Sequence, residues 1–127
     1  MILDTNALSA LGNNDQAILE RLHMPDTPKP YFCFICLGEY HKGLLNSTRP
    51  QKPLAMLKQL RNSWDTLHSD DETIAHYADI ADYFKKIGRP IPTNDIWIAA
   101  LARQHNMFIL SRDRHFDFIP DIKRVKW

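Results

Sequence analysis

Met1-Ile2-Leu3-Asp4-Thr5-Asn6-Ala7-Leu8 ends a short apolar run in a carboxylate and follows it at once with small polar residues. The apolar pair reads as a buried strand, so Asp4 stands at its carboxyl end. In open α/β sheets, ligands bind in the crevice outside the carboxyl ends of the strands. A strand end this early places Asp4 near the middle of the fold. Met107-Phe108-Ile109-Leu110-Ser111-Arg112-Asp113 repeats the pattern of apolar strand and then acid.

The chain between these two segments alternates elements. Thr5 to Leu11 suits a helical turn ending near Gly12-Asn13-Asn14, and Ile18, Leu19 and Leu22 place a helix over Asp15 to His23. Three prolines make Met24 to Pro30 a loop. Tyr31-Phe32-Cys33-Phe34 suits a second buried strand, followed by a helix over Ile35 to Asn46. Leu54, Leu57, Leu60 and Trp64 recur at helical spacing after Pro50 and Pro53, and Thr66-Leu67-His68 reads as a short strand. Ser69 or Asp70 is a fitting cap for the next helix, whose stripe is Ile74, Ala78, Ala81, Phe84 and Ile87 and whose stop is Gly88. A last helix runs from Thr93 to about His105, and Ile122 to Trp127 suits a final edge strand. Strands alternating with helices predict an α/β fold with a central parallel, doubly wound sheet. The strand order stays open.

The 127 residues predict one domain, 1–127, large enough for a hydrophobic core without staples. An apolar fraction of 44% and a charged fraction of 24% are those of an ordinary globular protein. A net charge of +1 does not exclude nucleic acid, because 15 acidic residues can mask a local basic surface. No stretch is long and apolar enough to cross a membrane. No basic segment precedes the first apolar residues, so a signal peptide is not expected and the cytoplasm is. Two cysteines cannot make a disulfide framework.

Four acids stand out: Asp4, Glu39, Asp95 and Asp113. Each has an ordinary structural reading beside the functional one. Asp4 can be a turn or cap residue. Glu39 can be an exposed helix residue, although it shares a helix face with Ile35 and Gly43, and a helical glycine costs roughly 1 kcal/mol against alanine. One reason to accept that cost is room for a close neighbour. Asp95 suits the first helical turn, where the dipole favours an acid and Thr93 or Asn94 can cap. Asp113 can pair with the arginines beside it. Together the four point to something else. Crowded carboxylates repel, and their company becomes tolerable when they bind a cation or share a proton. Oxygen ligands select Mg²⁺ or Mn²⁺ over zinc, and such an ion polarises a phosphoryl oxygen and activates a bound water.

These residues resemble the PIN domain, and in detail the VapC-type ribonuclease toxins of bacterial toxin–antitoxin modules. The resemblance spans nearly the whole chain. It is carried by Leu3-Asp4-Thr5-Asn6, by Leu37-Gly38-Glu39-Tyr40 with Gly43, by Asn94-Asp95-Ile96-Trp97-Ile98-Ala99-Ala100, and by Ile109-Leu110-Ser111-Arg112-Asp113 with Phe116. A terminal Trp127 is also common in such chains. The resemblance implies a three-layer α/β/α sandwich around a central parallel sheet. It further implies metal-dependent cleavage of RNA to a 5′-phosphate and a 3′-hydroxyl, and a small antitoxin protein as partner. Asp4, Glu39 and Asp95 would be the core catalytic and metal-binding acids, with Asp113 a fourth acting through water. Asn6 matches the family's support for the first acid, and Ser111 stands where the family often has threonine or serine. Arg112 and Arg114, with Lys123, Arg124 and Lys126 beyond them, are candidates to hold RNA phosphates. The family often forms homodimers, and part of the Ile74-to-Ile87 stripe or the Leu54-to-Trp64 helix could meet a second subunit.

Other chemistries fit less well. Cys33-Phe34-Ile35-Cys36 has a redox spacing, but two bulky apolar residues between the thiols argue for packing. Six histidines show no zinc pattern, and His41 and His115 read as surface or packing residues. A strand-end aspartate nucleophile of the phosphatase kind would want a second aspartate where Asn6 stands, and the four glycines form no phosphate-cradling loop. The alternative of another class is a non-catalytic RNA- or protein-binding module with this fold. Four intact candidate ligands count against it.

Overall fold

Short parallel ladders organise the chain. The computed structural model describes residues 1–127. In order they form β1 (Ile2–Leu3), α1 (Thr5–Gly12), α2 (Gln16–His23), β2 (Phe32–Cys33), α3 (Phe34–Leu45), α4 (Gln51–Leu60), β3 (Thr66–Leu67), α5 (Asp71–Lys86), α6 (Thr93–Gln104), β4 (Ile109–Leu110), a 3-10 turn at Arg114–Phe118, and β5 (Arg124–Val125). All strand pairs are parallel: Ile2 lies opposite Ile109, Ile109 opposite Arg124, and Phe32 opposite Thr66. A parallel bridge between Ile2 and Tyr31 joins the two groups of strands into the line β3-β2-β1-β4-β5. The chain therefore builds outward from β1 on one side, then crosses to β4 and builds outward on the other. The β1/β4 boundary is the topological switch point, where doubly wound folds place their ligand sites.

Residues of β1, β2 and β4 are buried on both faces, as a covered parallel sheet requires. Ile2, Leu3, Leu8, Phe32, Ile98, Leu101, Ile109, Leu110 and Phe116 are among the residues fully enclosed in the core. Helix α1 packs against α2, α3 and α4, while α5 packs along α6. Gly12 closes α1 because a Cβ there would overlap the Tyr40 hydroxyl and press on Pro53.

Several local expectations are refined. Thr5 onward is a full helix rather than a turn, and Phe34 starts α3 rather than ending β2. The ladders are two residues long, shorter than the apolar runs that contain them. The 3-10 turn after Asp113 was not anticipated from sequence. On α5 the expected stripe is rotated: Thr73, Ile80 and Phe84 are buried, whereas Ile74, Ala78 and Ile87 are exposed. Asp70 rather than Ser69 caps α5, in a reciprocal capping box with Thr73. Gly88 ends α5 with φ +64°, a left-handed conformation that glycine adopts freely. Cys33 and Cys36 are buried and unbonded, in keeping with a packing role. No helix is long and apolar enough to cross a membrane.

Candidate functional site

Asp4 leaves β1 and becomes the N-cap of α1. The residue is 5% exposed. One carboxylate oxygen accepts the Thr5 backbone N–H at 2.6 Å, and the other accepts the Asn6 amide and, at 2.7 Å, the Ser111 hydroxyl. Burial pushes the Asp4 carboxyl above the usual aspartate range. The Ser111 and Thr5 hydrogen bonds hold it down, and the charges of Glu39 and Asp113 push it further up. Ser111 follows β4 across the switch point and is fully buried. Its hydroxyl also accepts from the Asn6 amide at 3.0 Å and from the Asp113 backbone N–H at 2.9 Å. The Asn6 carbonyl oxygen takes the Arg112 backbone N–H at 3.1 Å. Asn6 and Ser111 thus bind the first and fourth acidic segments together.

Glu39 reaches the same place from α3. Its two oxygens accept the Thr5 hydroxyl and the Asn94 amide, the latter at 2.6 Å. Asn94 therefore serves Glu39 and does not cap α6, whose N-cap is Pro92 without a side-chain bond. Asp95, in the first turn of α6, has a side chain 14% exposed. Its carboxyl is pushed up to about 6, first by burial and then by the charges of Asp113 and Asp4; His115 opposes the shift. Asp113 caps the 3-10 turn by accepting the His115 backbone N–H at 2.8 Å. His115 Nδ1 stands 3.1 Å from both an Asp95 oxygen and an Asp113 oxygen.

One open cleft of about 420 Å³ is lined by Asp4, Thr5, Asn6, Ser9, Glu39, Asp95 and Asp113, with no apolar side chain among them. Four acids from segments far apart in sequence therefore face one space. Asp95, Asp113 and His115 also each offer an atom within 4.8 Å of the others, a spacing one metal ion can bridge. A donor set of carboxylate oxygens with one imidazole suits a hard or borderline divalent cation. Asn6 and Ser111, expected as supports, contact Asp4 directly. His115 was expected to be a surface or packing residue and instead bridges two of the acids. Thr5 and Asn94 were also missed as partners of Glu39. They flank Asp4 and Asp95 in sequence, but nothing in their spacing reveals a bond across 34 or 55 residues.

The basic residues divide. Arg112 bonds Asp15 at 3.0 Å and lies over the Trp127 ring. The Arg124 side chain is 3% exposed and paired with Asp117. Lys123 lies over the Phe108 ring. Arg114 is exposed and in no salt bridge.

The sequence pattern of the PIN domain matches residues 1–121. Ribonuclease VapC1 of Haemophilus influenzae (strain R2866) is 29% identical over 129 aligned residues, covering 99% of this chain and 96% of that protein. The structure of VapBC-1 from nontypeable Haemophilus influenzae superposes with a TM-score of 0.83 at 27% identity, covering 99% of this chain and 96% of that one. VapBC2 from Rickettsia felis, bound to a DNA fragment from its promoter, reaches a TM-score of 0.88 at 19% identity, with 99% and 97% coverage, which speaks for the fold.

Proposed function

This chain belongs to the PIN domain family, and on that premise we propose that it is a metal-dependent endoribonuclease, the toxin of a toxin–antitoxin pair. The observation that carries the proposal is the convergence of Asp4, Glu39, Asp95 and Asp113 on one polar cleft at the switch point.

In this reading Asp4, Glu39 and Asp95 would hold Mg²⁺ or Mn²⁺, and Asp113 would help to hold the ion or accept a hydrogen bond from the water that hydrolysis consumes. When bound, the ion supplies charge neutralisation at the phosphoryl group and a water acidic enough to attack it. The rest is the work of the protein. Ser111, Asn6 and the Thr5 N–H fix the Asp4 carboxylate, and Thr5 and Asn94 fix Glu39. Burial and mutual repulsion leave the acids short of countercharge, which favours capture of a cation. Arg114, exposed beside Asp113, is better placed to meet an RNA phosphate than Arg112, which is committed to Asp15 and Trp127.

A small antitoxin protein is the expected partner, supported by the VapBC-1 complex that this chain resembles. A homodimer belongs to the same proposal, supported by the exposed apolar Ile74 and Tyr83 of α5 and Ile87 just after it.

Asp4→Asn tests the reading, with Asp95→Asn beside it. Each should remain folded by circular dichroism and lose Mg²⁺- or Mn²⁺-dependent cleavage of RNA by at least roughly a hundredfold. Undiminished cleavage by a folded Asp4→Asn protein would overturn it.

A further inference from the structure

Two grooves flank α3, and both run into the acidic cleft through Glu39. The first, about 490 Å³, lies between α1, α3 and α4 and is lined by Ser47, Arg49 and Lys52 beside Thr5 and Glu39. The second, about 650 Å³, lies on the other side of α3 and is lined by Phe34, Lys42, Asn46 and Asn94. Gly43 belongs to both grooves, and Gly38 to the second.

Three features of these grooves are unexplained by the fold. Lys42, Arg49 and Lys52 are exposed and form no salt bridge. Phe34 is 42% exposed although it opens a helix; one face of its ring stacks on His68 at 5.7 Å and 14°. Gly38 and Gly43 stand in α3, where glycine weakens a helix. A Cβ at either would meet nothing within 4 Å, and neither has positive φ, so no contact inside the chain requires them. Gly43 therefore leaves α3 open and without a side chain at the point the two grooves share.

We propose that the substrate RNA is bound as an unpaired strand lying across α3 at Gly43. Its phosphates follow Arg49 and Lys52 in the first groove, and a base stacks on Phe34 in the second. The inference rests on the ribonuclease reading and assigns the residues of this chain that hold the strand at that same site. Charge complementarity selects the occupant: the free cations lie along the flanks, and the acids gather where the scissile phosphate and its ion would sit. An unpaired strand satisfies the second groove because a base inside a duplex has no free face to offer an aromatic ring. Lys42, Asn46 and Asn94 surround that position with hydrogen-bonding groups.

Binding is measured by fluorescence anisotropy in the Asp4→Asn background with Mg²⁺, using a short oligoribonucleotide that carries 2-aminopurine. The same RNA annealed to its complement should bind more weakly. Arg49→Gln with Lys52→Gln should weaken binding about tenfold at low salt and flatten the dependence of log Kd on log salt by about 1.4, the value for two phosphate contacts on a single strand. Phe34→Leu keeps the apolar bulk but removes the π face. It should lower affinity about fivefold or more and abolish quenching of the 2-aminopurine. Gly43→Met should bind RNA at least about fivefold more weakly while melting no lower than its parent, because methionine is the better helix former. A loss of affinity without loss of stability is what a purely structural glycine would not produce. Parental affinity and salt slope in all of these variants would overturn the placement. So would variants that keep RNA affinity but lose binding of a polyglutamate peptide, which would assign the grooves to an acidic protein segment. Neither outcome touches the ribonuclease reading, which stands or falls on cleavage by the protein with Asp4 intact.

Discussion

Asp95 is held where a carboxylate is uncomfortable. It is largely covered, Asp113 and Asp4 repel it, and His115 offsets this only in part, so its pKa rises to about 6 from an ordinary value of about 3.9. The sign of the consequence for stability follows from where the proton binds. Below about pH 4 the carboxyl is neutral in both folded and unfolded chains and imposes no penalty. Between about pH 4 and pH 6 the unfolded chain releases the proton more readily than the folded one, so stability falls as pH rises, and above pH 6 the penalty is complete. Its ceiling is about 3 kcal/mol. Asp95→Asn removes it. In EDTA, urea unfolding should therefore show the variant gaining on the natural sequence as pH rises from about 4 to 7. A difference independent of pH would show that Asp95 ionises freely. At this scale the acids themselves were readable, because each follows an apolar run or sits in an amphipathic helix. Their partners were not. Asn94 reads as a cap, and its bond to Glu39 exists because α3 and α6 meet, which no local pattern records.

Helix α5 shows what the element scale adds. A stripe counted from Ile74 satisfied helical spacing, yet the buried face is set by α6 and runs through Thr73, Ile80 and Phe84. Polar Thr73 is accommodated because its N–H and hydroxyl are both hydrogen-bonded. Its N–H donates to the Asp70 carboxylate, its hydroxyl accepts the Asp70 backbone N–H, and the hydroxyl's one proton is shared between the Asp70 carboxylate and the Gln104 carbonyl of α6. Gln104 in turn donates to both Asp70 oxygens, at 2.8 and 3.0 Å. The cap thus ties the start of α5 to the end of α6. Asp70→Ala should cost about 1–2 kcal/mol, the upper range for a cap, because it frees the Gln104 amide as well as the helix N–H groups. Hydrogen exchange should localise the loss to the first turn of α5, with RNA cleavage unchanged at temperatures where the variant is folded. A loss below about 0.5 kcal/mol would show that water replaces the cap without penalty. A polar residue inside an apolar stripe looks like an interruption until its partner on another helix is known, and so the rotation of α5 could not be read from spacing.

For the whole molecule, the order β3-β2-β1-β4-β5 matters more than any single strand, since it sets the ends of β1 and β4 side by side. The alternation of strands and helices revealed the class of fold, but ladders of two residues hold too little pattern to reveal their neighbours. The same order assembles a site at a cost to the protein. Asp4 and Asp95 are both pushed toward protonation by burial and by the other acids, so the metal-free fold carries unfavourable charge at neutral pH. A cation bound by the folded chain alone should relieve this and stabilise it by about 2.7 kcal/mol at a hundredfold excess over its Kd. For a chain of 127 residues that corresponds to a rise in Tm of roughly 10 °C. Asp95→Asn should start from a higher metal-free Tm at neutral pH and gain less from the ion, because it has already lost part of the repulsion that the ion relieves. Thermal unfolding in EDTA against Mg²⁺ or Mn²⁺ distinguishes this from ions binding elsewhere on the surface. Equal shifts in the two proteins, or none in either, would mean that the four carboxylates do not share an ion, and the endonuclease mechanism would lose its physical basis.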